Sequence, residues 1–407
     1  MRIFTPSKFN PGISSLWRGM TIDTLIRLLY MAIKIKKLEA TQVKFPNIYF
    51  FRSARAGISA ILRSQNITTG SEVILSSFTC EAVTNSILST GAMPVYVDIN
   101  PDLTMDFKSV KSAITCRTAA VIVQNTFGRL GLPADYINIL RQLNILIIED
   151  NSLSIGSQLN NTLLGSFGDF SVSSFEVSKS FCLGWGGIVL INNLNFKDSF
   201  EKLCFKLLRV SLLRDLSNFS QLFLSLFLMK FSFNGGFIVW YFLYGFRIFR
   251  KSSHEDKMVY TNRLLMGKLT RQLNVALLNS LEKLSLKANF AYISIQNILI
   301  SQGFSPYVIQ SEGEFIVSPR ISFSVPSCNL DLIIRISSLY KIELSRWFTE
   351  ISPNSKSSLC RVSSNFYARK VSQEIINLPC YWSLSEHELN TISLFLDKIS
   401  LLCEIAQ

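Results

Sequence analysis

The chain has 407 residues, 48% of them hydrophobic, with 41 Lys and Arg against 28 Asp and Glu for a net charge of +13. That content excludes a disordered or low-complexity protein and allows about two or three domains of roughly 100 to 200 residues each. The charge favours anionic partners, but no finger, zipper or RNA-binding pattern accompanies it, so nucleic acid is not an expected partner.

Eight widely spaced cysteines with no CxxC pair, and two distant histidines, point to a reducing compartment and no metal centre. The first 18 residues interrupt their short apolar pieces with Pro6, Lys8, Pro11 and Arg18. They do not read as an export signal, and a cytoplasmic location is expected.

From residue 57, four helix-strand units follow one another. "GISAILRSQN" precedes a strand over 72–78, "EAVTNSILSTG" one over 93–98, "FKSVKSAIT" one over 118–127, and "ADYINILRQL" one over 144–150. Nearly continuous apolar strands alternating with helices predict an α/β fold, a mostly parallel sheet covered on both faces. Functional groups should gather at the carboxyl ends of such strands, where Glu149 and Asp150 fall. Two more strands are predicted over 170–175 and 187–191, which leaves Lys179 in the connection between them. A fixed backbone there could aim the amine at a ligand, or merely present it to water.

Residues 205–250 are strongly apolar, yet Lys230, Asn234, Gly235 and Gly236 separate the runs 222–229 and 237–246. Neither run approaches the roughly 20 residues of a spanning helix. Leu212, Leu216, Phe219, Phe223, Leu226 and Phe227 recur near helical spacing and predict a buried or partner-facing helix. Arg247, Arg250 and Lys251 leave peripheral contact with an anionic membrane open. A helical region over 263–300 follows, then short apolar runs, then an amphipathic helix over 383–399. Its start offers two capping boxes, Ser383 with Glu386 or Ser385 with Glu388. The expected division is a large domain over 1–250, including the apolar insertion, and a smaller C-terminal α+β domain over 251–407.

Three features bear on chemistry. "SARAGISAI", 53–61, places Ser53 before a helix whose unpaired N–H groups suit a phosphate, although such a serine is often only a cap. Asp150 ends a core strand, where desolvation favours exposure or a cationic partner such as a protonated heteroaromatic nitrogen. Lys179 follows Ser174 by five residues. A hydroxyl for a phosphate, an acid for a ring nitrogen and an amine for an aldehyde are the handles that pyridoxal phosphate requires.

These stretches, in this order, resemble the DegT family of sugar aminotransferases, a branch of the fold-type I pyridoxal-phosphate enzymes. The likeness covers roughly 45–400 and rests on "GSEVILSSFTCEAVTNSILSTGAMPVYVDI", "AITCRTAAVIVQNTFG", "IIEDNSLSIGS", "GDFSVSSFEVSKSFCLGWGG", "YTNRLLMGKLTRQL" and "LPCYWSLSEHELNTI". Carried over by position, the resemblance implies that Lys179 bears the cofactor and moves protons, and that Asp150 pairs with its pyridinium nitrogen. Ser174, Ser53 and the amides of Ala54 and Arg55 would hold its phosphate, and Asn262 would reach it across a homodimer interface.

The chain also departs from the family pattern. Ala54 stands where relatives usually have Gly, Leu153 where they have His or Gln near the ring, and Cys80 where many place an aromatic. The implied substrates are an amino donor, usually glutamate, and a nucleotide-linked keto-sugar destined for a surface polysaccharide. A noncatalytic scaffold with this fold and a different pyridoxal-phosphate reaction are the alternatives. The related sugar dehydratases carry His in place of the lysine, so Lys179 weighs against that branch.

Overall fold

A computed structural model describes residues 47–176, 178–231, 264–326, 329–348 and 360–404. Its strands are β1 (Ile48–Phe51), β2 (Glu72–Ser76), β3 (Met93–Val97), β4 (Thr118–Gln124), β5 (Leu146–Asp150), β6 (Gln158–Leu159), β7 (Thr162–Leu163), β8 (Phe170–Ser174), β9 (Gly187–Ile191), β10 (Glu314–Phe315), β11 (Arg320–Ser324), β12 (Arg361–Val362) and β13 (Ile375–Pro379). The helices are α1 (Ala54–Ser64), α2 (Glu81–Leu88), α3 (Phe107–Ala113), α4 (Ala134–Gln142), α5 (Lys197–Cys204), α6 (Leu212–Phe231), α7 (Lys268–Asn279), α8 (Leu281–Ser301), α9 (Leu330–Leu339), α10 (Phe366–Glu374) and α11 (Glu386–Glu404).

Eight strands form one sheet in the order β1-β9-β8-β5-β4-β2-β3-β12. Pairing is parallel from β12 through β3, β2, β4 and β5 to β8, and antiparallel where β9 meets β8 and β1. The period-two alternation of the strands divides the core cleanly. Val73, Leu75, Ile122, Ile148 and Val172 face α1, α2 and Phe200 of α5, whereas Ile74, Val95, Val121 and Ile147 face α3 and α4. Ile58, Ile61 and Leu62 of α1 are each at most 1% exposed, and burial of each such side chain stabilises by about 1.5–3 kcal/mol.

Because β2 has β3 on one side and β4 on the other, the order of chain progression reverses between β2 and β4. A crevice at their carboxyl ends is the topological consequence. A two-stranded sheet, β11 with β13, packs with α8, α9 and α11 in a separate core that includes Tyr292, Ile321, Phe323 and Phe395. β12 leaves that region to join the large sheet at β3, so chain beyond residue 250 contributes to both layers.

The apolar stripe expected in α6 is only partly buried. Phe219 packs inward, but Leu212, Leu216 and Phe223 are exposed while Asp215 and Leu222 are buried. The inward face is set by Asp215, whose carboxylate accepts the Leu269 amide at 2.7 Å, the Thr270 amide at 3.4 Å and the Thr270 hydroxyl. It thereby caps α7, whose own N-cap, Gly267, has no side chain to offer. Lys230 lies at the end of α6; Asn234 through Lys251 lie outside the described residues. No helix among the described residues is long and apolar enough to cross a membrane. Of the two possible capping boxes at α11, Ser385 and Glu388 form it: the Ser385 amide donates to Glu388 at 2.9 Å, and the Glu388 amide donates to Ser385 Oγ at 3.3 Å.

Candidate active site

The start of α1 is built by three chain segments. Ser53 is extended, with φ −161°, and its Oγ accepts the Ala56 amide at 3.3 Å. Its backbone bridges to Gly186, and the next residue, Gly187, pairs with Ser174 at the end of β8. Both serines therefore flank a stretch without side chains. Gly186 has φ +113°, where an L side chain is strained, and a Cβ on Gly187 would overlap the Ala54 nitrogen. The result is a cradle of two hydroxyls and first-turn amides that a helix cannot satisfy from within. Ala54 is the first residue of α1 and has no positive φ, so the crowding that its methyl would cause in a left-handed turn does not arise.

On β5, alternation sends neighbouring carboxylates to opposite faces. Glu149 is fully buried and accepts bonds from Asn125 at 3.0 Å and from the amides of Gly165, Phe167 and Gly168 at 2.9, 2.6 and 2.6 Å. Burial pushes its carboxyl above the usual range, and these four donors oppose the shift. Its work is to hold the 165–168 turn. Asp150 instead ends the strand at the crevice, buried, with Oδ1 accepting the Ser152 amide at 3.0 Å. Among the described residues that is its one side-chain hydrogen bond, and the other oxygen can accept from a donor.

Lys179 sits in a turn closed by its amide on the Glu176 carbonyl at 3.0 Å. Its half-buried side chain places Nζ 5.2 Å from the ring centre of Trp347. Cys80 is open to solvent at the N-cap of α2. Desolvation pushes its thiol up against the positive field of Lys179, with Arg55 also pulling it down and Glu176 raising it. Thiol, lysine and Arg55 in the first turn of α1 are thus close enough to influence one another electrostatically. Thr79 beside it is fixed by donating to Gln124 Oε1 at 2.5 Å, which ties the ends of β2 and β4 together.

Among the residues singled out in the sequence, Ser53, Ala54, Arg55 and Ser174 gather at the cradle, while Lys179, Cys80 and Arg55 are near enough for their charges to interact. Leu153 is 4% exposed and packs in the core with Phe78 and Phe127. Asn262 lies outside the described residues. The sequence reading passed over Trp347 and Arg320, the latter fully buried with its guanidinium carbon 4.7 Å from the same ring centre. A signal existed: Arg320 is the one charge in the apolar run 315–325. Among the described residues no group of three or more His, Cys, Asp or Glu could hold a metal ion.

Residues 44–212 match the model of the DegT/DnrJ/EryC1/StrS aminotransferase family. A UDP-N-acetyl-3-dehydro-alpha-D-glucosamine 3-aminotransferase of Acidithiobacillus ferrooxidans is 38% identical over 134 residues, 32% of this chain and 36% of that protein. A GDP-perosamine synthase of Vibrio cholerae is 32% identical over 192 residues, 45% of this chain and 48% of that protein. The match thus spans about half or less of these relatives' lengths.

Solved structures are alike over nearly the whole chain. A DegT DnrJ EryC1 StrS aminotransferase from Brucella abortus superposes with a TM-score of 0.69 at 19% identity, covering 93% of this chain and 96% of that one. The PLP-form of the putative sugar aminotransferase Spr1654 from Streptococcus pneumoniae gives 0.66 at 19%, covering 97% and 92%. At such identities the likeness establishes the fold, the α/β fold-type I architecture with its mostly parallel sheet. Residues 44–212, which carry Ser53, Asp150, Ser174 and Lys179, are the part of the chain that matches the DegT/DnrJ/EryC1/StrS aminotransferase family.

Proposed function

We propose that this protein is a pyridoxal-phosphate-dependent aminotransferase that moves an amino group from glutamate to a nucleotide-linked keto-sugar for polysaccharide synthesis. The carrying observation is the glycine-lined cradle between Ser53, Ala54 and Ser174, with Asp150 and Lys179 on adjoining strand ends. What supports a phosphate here is the start of α1, whose first-turn amides a helix leaves unpaired, beside Ser53 and close against the side-chain-free backbone of Gly186 and Gly187. The substrate class follows the relatives, two of which are named for amino transfer to UDP- and dTDP-linked dehydro sugars.

When bound, pyridoxal phosphate supplies an aldehyde to accept the amino group and a ring to take up electrons from the substrate carbon. The chain's residues do the rest. Ser53, Ser174 and the amides of Ala54 and Arg55 anchor the phosphate. Asp150 offers a carboxylate to the ring nitrogen and keeps it protonated. Lys179 Nζ would hold the cofactor through its aldehyde and, when free, would serve as the base that takes up a proton from the substrate carbon and returns it. The buried β5 and β8 backbone fixes the spacing of these groups, so little reorganisation is needed.

A homodimer in which Asn262 would reach a neighbouring subunit's cofactor phosphate, as the family resemblance implies, is the working unit of this proposal. The large domain over 1–250 and the small one over 251–407 belong to it as well. The exposed Leu212, Leu213 and Leu216 on α6 leave room for a partner surface or peripheral contact with anionic lipid. The test is stoichiometric: protein loaded with pyridoxal phosphate and given glutamate alone should release one 2-oxoglutarate per site. No release, with cofactor bound, would reject amino transfer from glutamate.

A further inference from the structure

An amphipathic helix on a folded domain normally turns its apolar arc to the core. α6 does the opposite. Its inward positions include Asp215 and Gln221, both buried, beside Leu222. Its outward positions carry Leu212, Leu213, Leu216, Phe223 and Leu224, all exposed, with Leu213 at 82%. By helical periodicity these five fall within about a third of the circumference and make one face. The orientation is held from inside: the Asp215 carboxylate accepts the Leu269 amide at 2.7 Å, and Gly267 is pressed against it. Rolling α6 to hide the leucines would uncap α7.

The chain leading into α6 has the same character. Phe205, at 88%, and Leu208 are exposed directly after α5. Lys202, Lys206 and Arg209 are exposed among them. From 202 to 224 the single acid is Asp215, which is buried and committed to α7. The surface of this stretch is therefore apolar and cationic, with no exposed carboxylate to offset the charge.

That composition discriminates between occupants. A second copy set on the stretch by a two-fold axis would bring the same cations against themselves, with no acid to pair them. An anionic bilayer satisfies both halves, since its acyl boundary takes leucine and phenylalanine while its phosphates take lysine and arginine. The net charge of +13 draws the whole chain the same way. Because the inner side of α6 is committed to α7, the helix can lie along a bilayer but cannot enter it whole.

We propose that the outward face of α6, with residues 202–209 leading into it, docks on an anionic lipid surface. The inference goes beyond the reaction assigned to Lys179 and does not depend on it.

The test floats full-length protein, loaded with pyridoxal phosphate, on vesicles of phosphatidylcholine mixed with phosphatidylglycerol and on phosphatidylcholine alone. Wild type should bind the mixed vesicles at least about tenfold more tightly at low salt and be released as salt rises. Lys202→Gln with Lys206→Gln should weaken that binding about 30-fold. Phe205→Ser with Leu213→Ser should weaken it about tenfold or more at every salt concentration, because insertion of apolar side chains is not screened. Failure of the wild type to float on mixed vesicles, or equal binding to both lipids, would overturn the proposal. So would flotation that depends on the lysines and not on Phe205 and Leu213, which would mark a charge-only attraction open to any acidic protein. A dimer that falls to monomer on Phe205→Ser with Leu213→Ser, read by sedimentation without lipid, would give the face to a second copy and overturn it as well.

Discussion

Gly187 and Ala54 touch backbone to backbone: a Cβ on Gly187 would overlap the Ala54 nitrogen and stand against Ser53 as well. The contact joins the start of β9 to the start of α1 and defines the floor of the cradle. Gly187→Ala should push these segments apart at a cost of about 1–3 kcal/mol. Cofactor retention should fall further than stability alone explains, read as pyridoxal phosphate lost on dialysis of still-folded protein. Wild-type retention would show that the cradle tolerates a methyl and is not the phosphate site.

Asp150→Asn keeps the hydrogen bond from the Ser152 amide possible but removes the charge. Turnover should drop at least about a hundredfold with the circular-dichroism spectrum unchanged, as expected when a preorganised charge is lost. Near-normal turnover in single-turnover mixing with glutamate would remove Asp150 from the ring-nitrogen role.

Asp215→Ala tests how α6 and α7 are joined. Its buried carboxylate satisfies the Leu269 and Thr270 amides, and Gly267 is pressed against it. Loss should cost about 1–3 kcal/mol, seen as a lower urea midpoint. An unchanged midpoint would mean that water replaces this cap freely.

Glu72 carries the acid-range prediction. Burial tends to raise its carboxyl, but hydrogen bonds from Thr115 and Arg117 and the charges of Arg361 and Arg117 outweigh it and hold it below the usual value of 4.5. A depressed folded-state value stabilises above the unfolded value and is lost as pH falls through the folded one. Wild type should therefore melt higher than Glu72→Gln at neutral pH, and the gap should close below about pH 4.5. A gap that persists in acid would reject the linkage.

The large sheet was legible because its strands are buried on both faces, so "EVILS" or "LIIED" reads as apolar without knowledge of partners. Strand ends were overextended by up to three residues, as at 118–127, where β4 stops at Gln124 and a short 3-10 turn begins. The inward face of α6 is not legible in hydrophobicity alone, because a buried Asp215 serving another helix sets the rotation and turns Leu212, Leu216 and Phe223 outward. Arg320 and Trp347 could not be joined from sequence: they meet through tertiary packing, side chain to side chain and by way of Asn377 on β13, which lies between the strand and the loop. Asp150 and Ser174 are legible as a pair because they end neighbouring parallel strands, while Lys179 follows in the connection from β8 to β9.

The most direct test of the whole account is borohydride reduction of the protein purified with pyridoxal phosphate, followed by peptide mapping. The account predicts a single stable adduct at Lys179, absent from Lys179→Ala. A fully cofactor-loaded protein whose adduct maps to another lysine, with Lys179 unmodified, would contradict it.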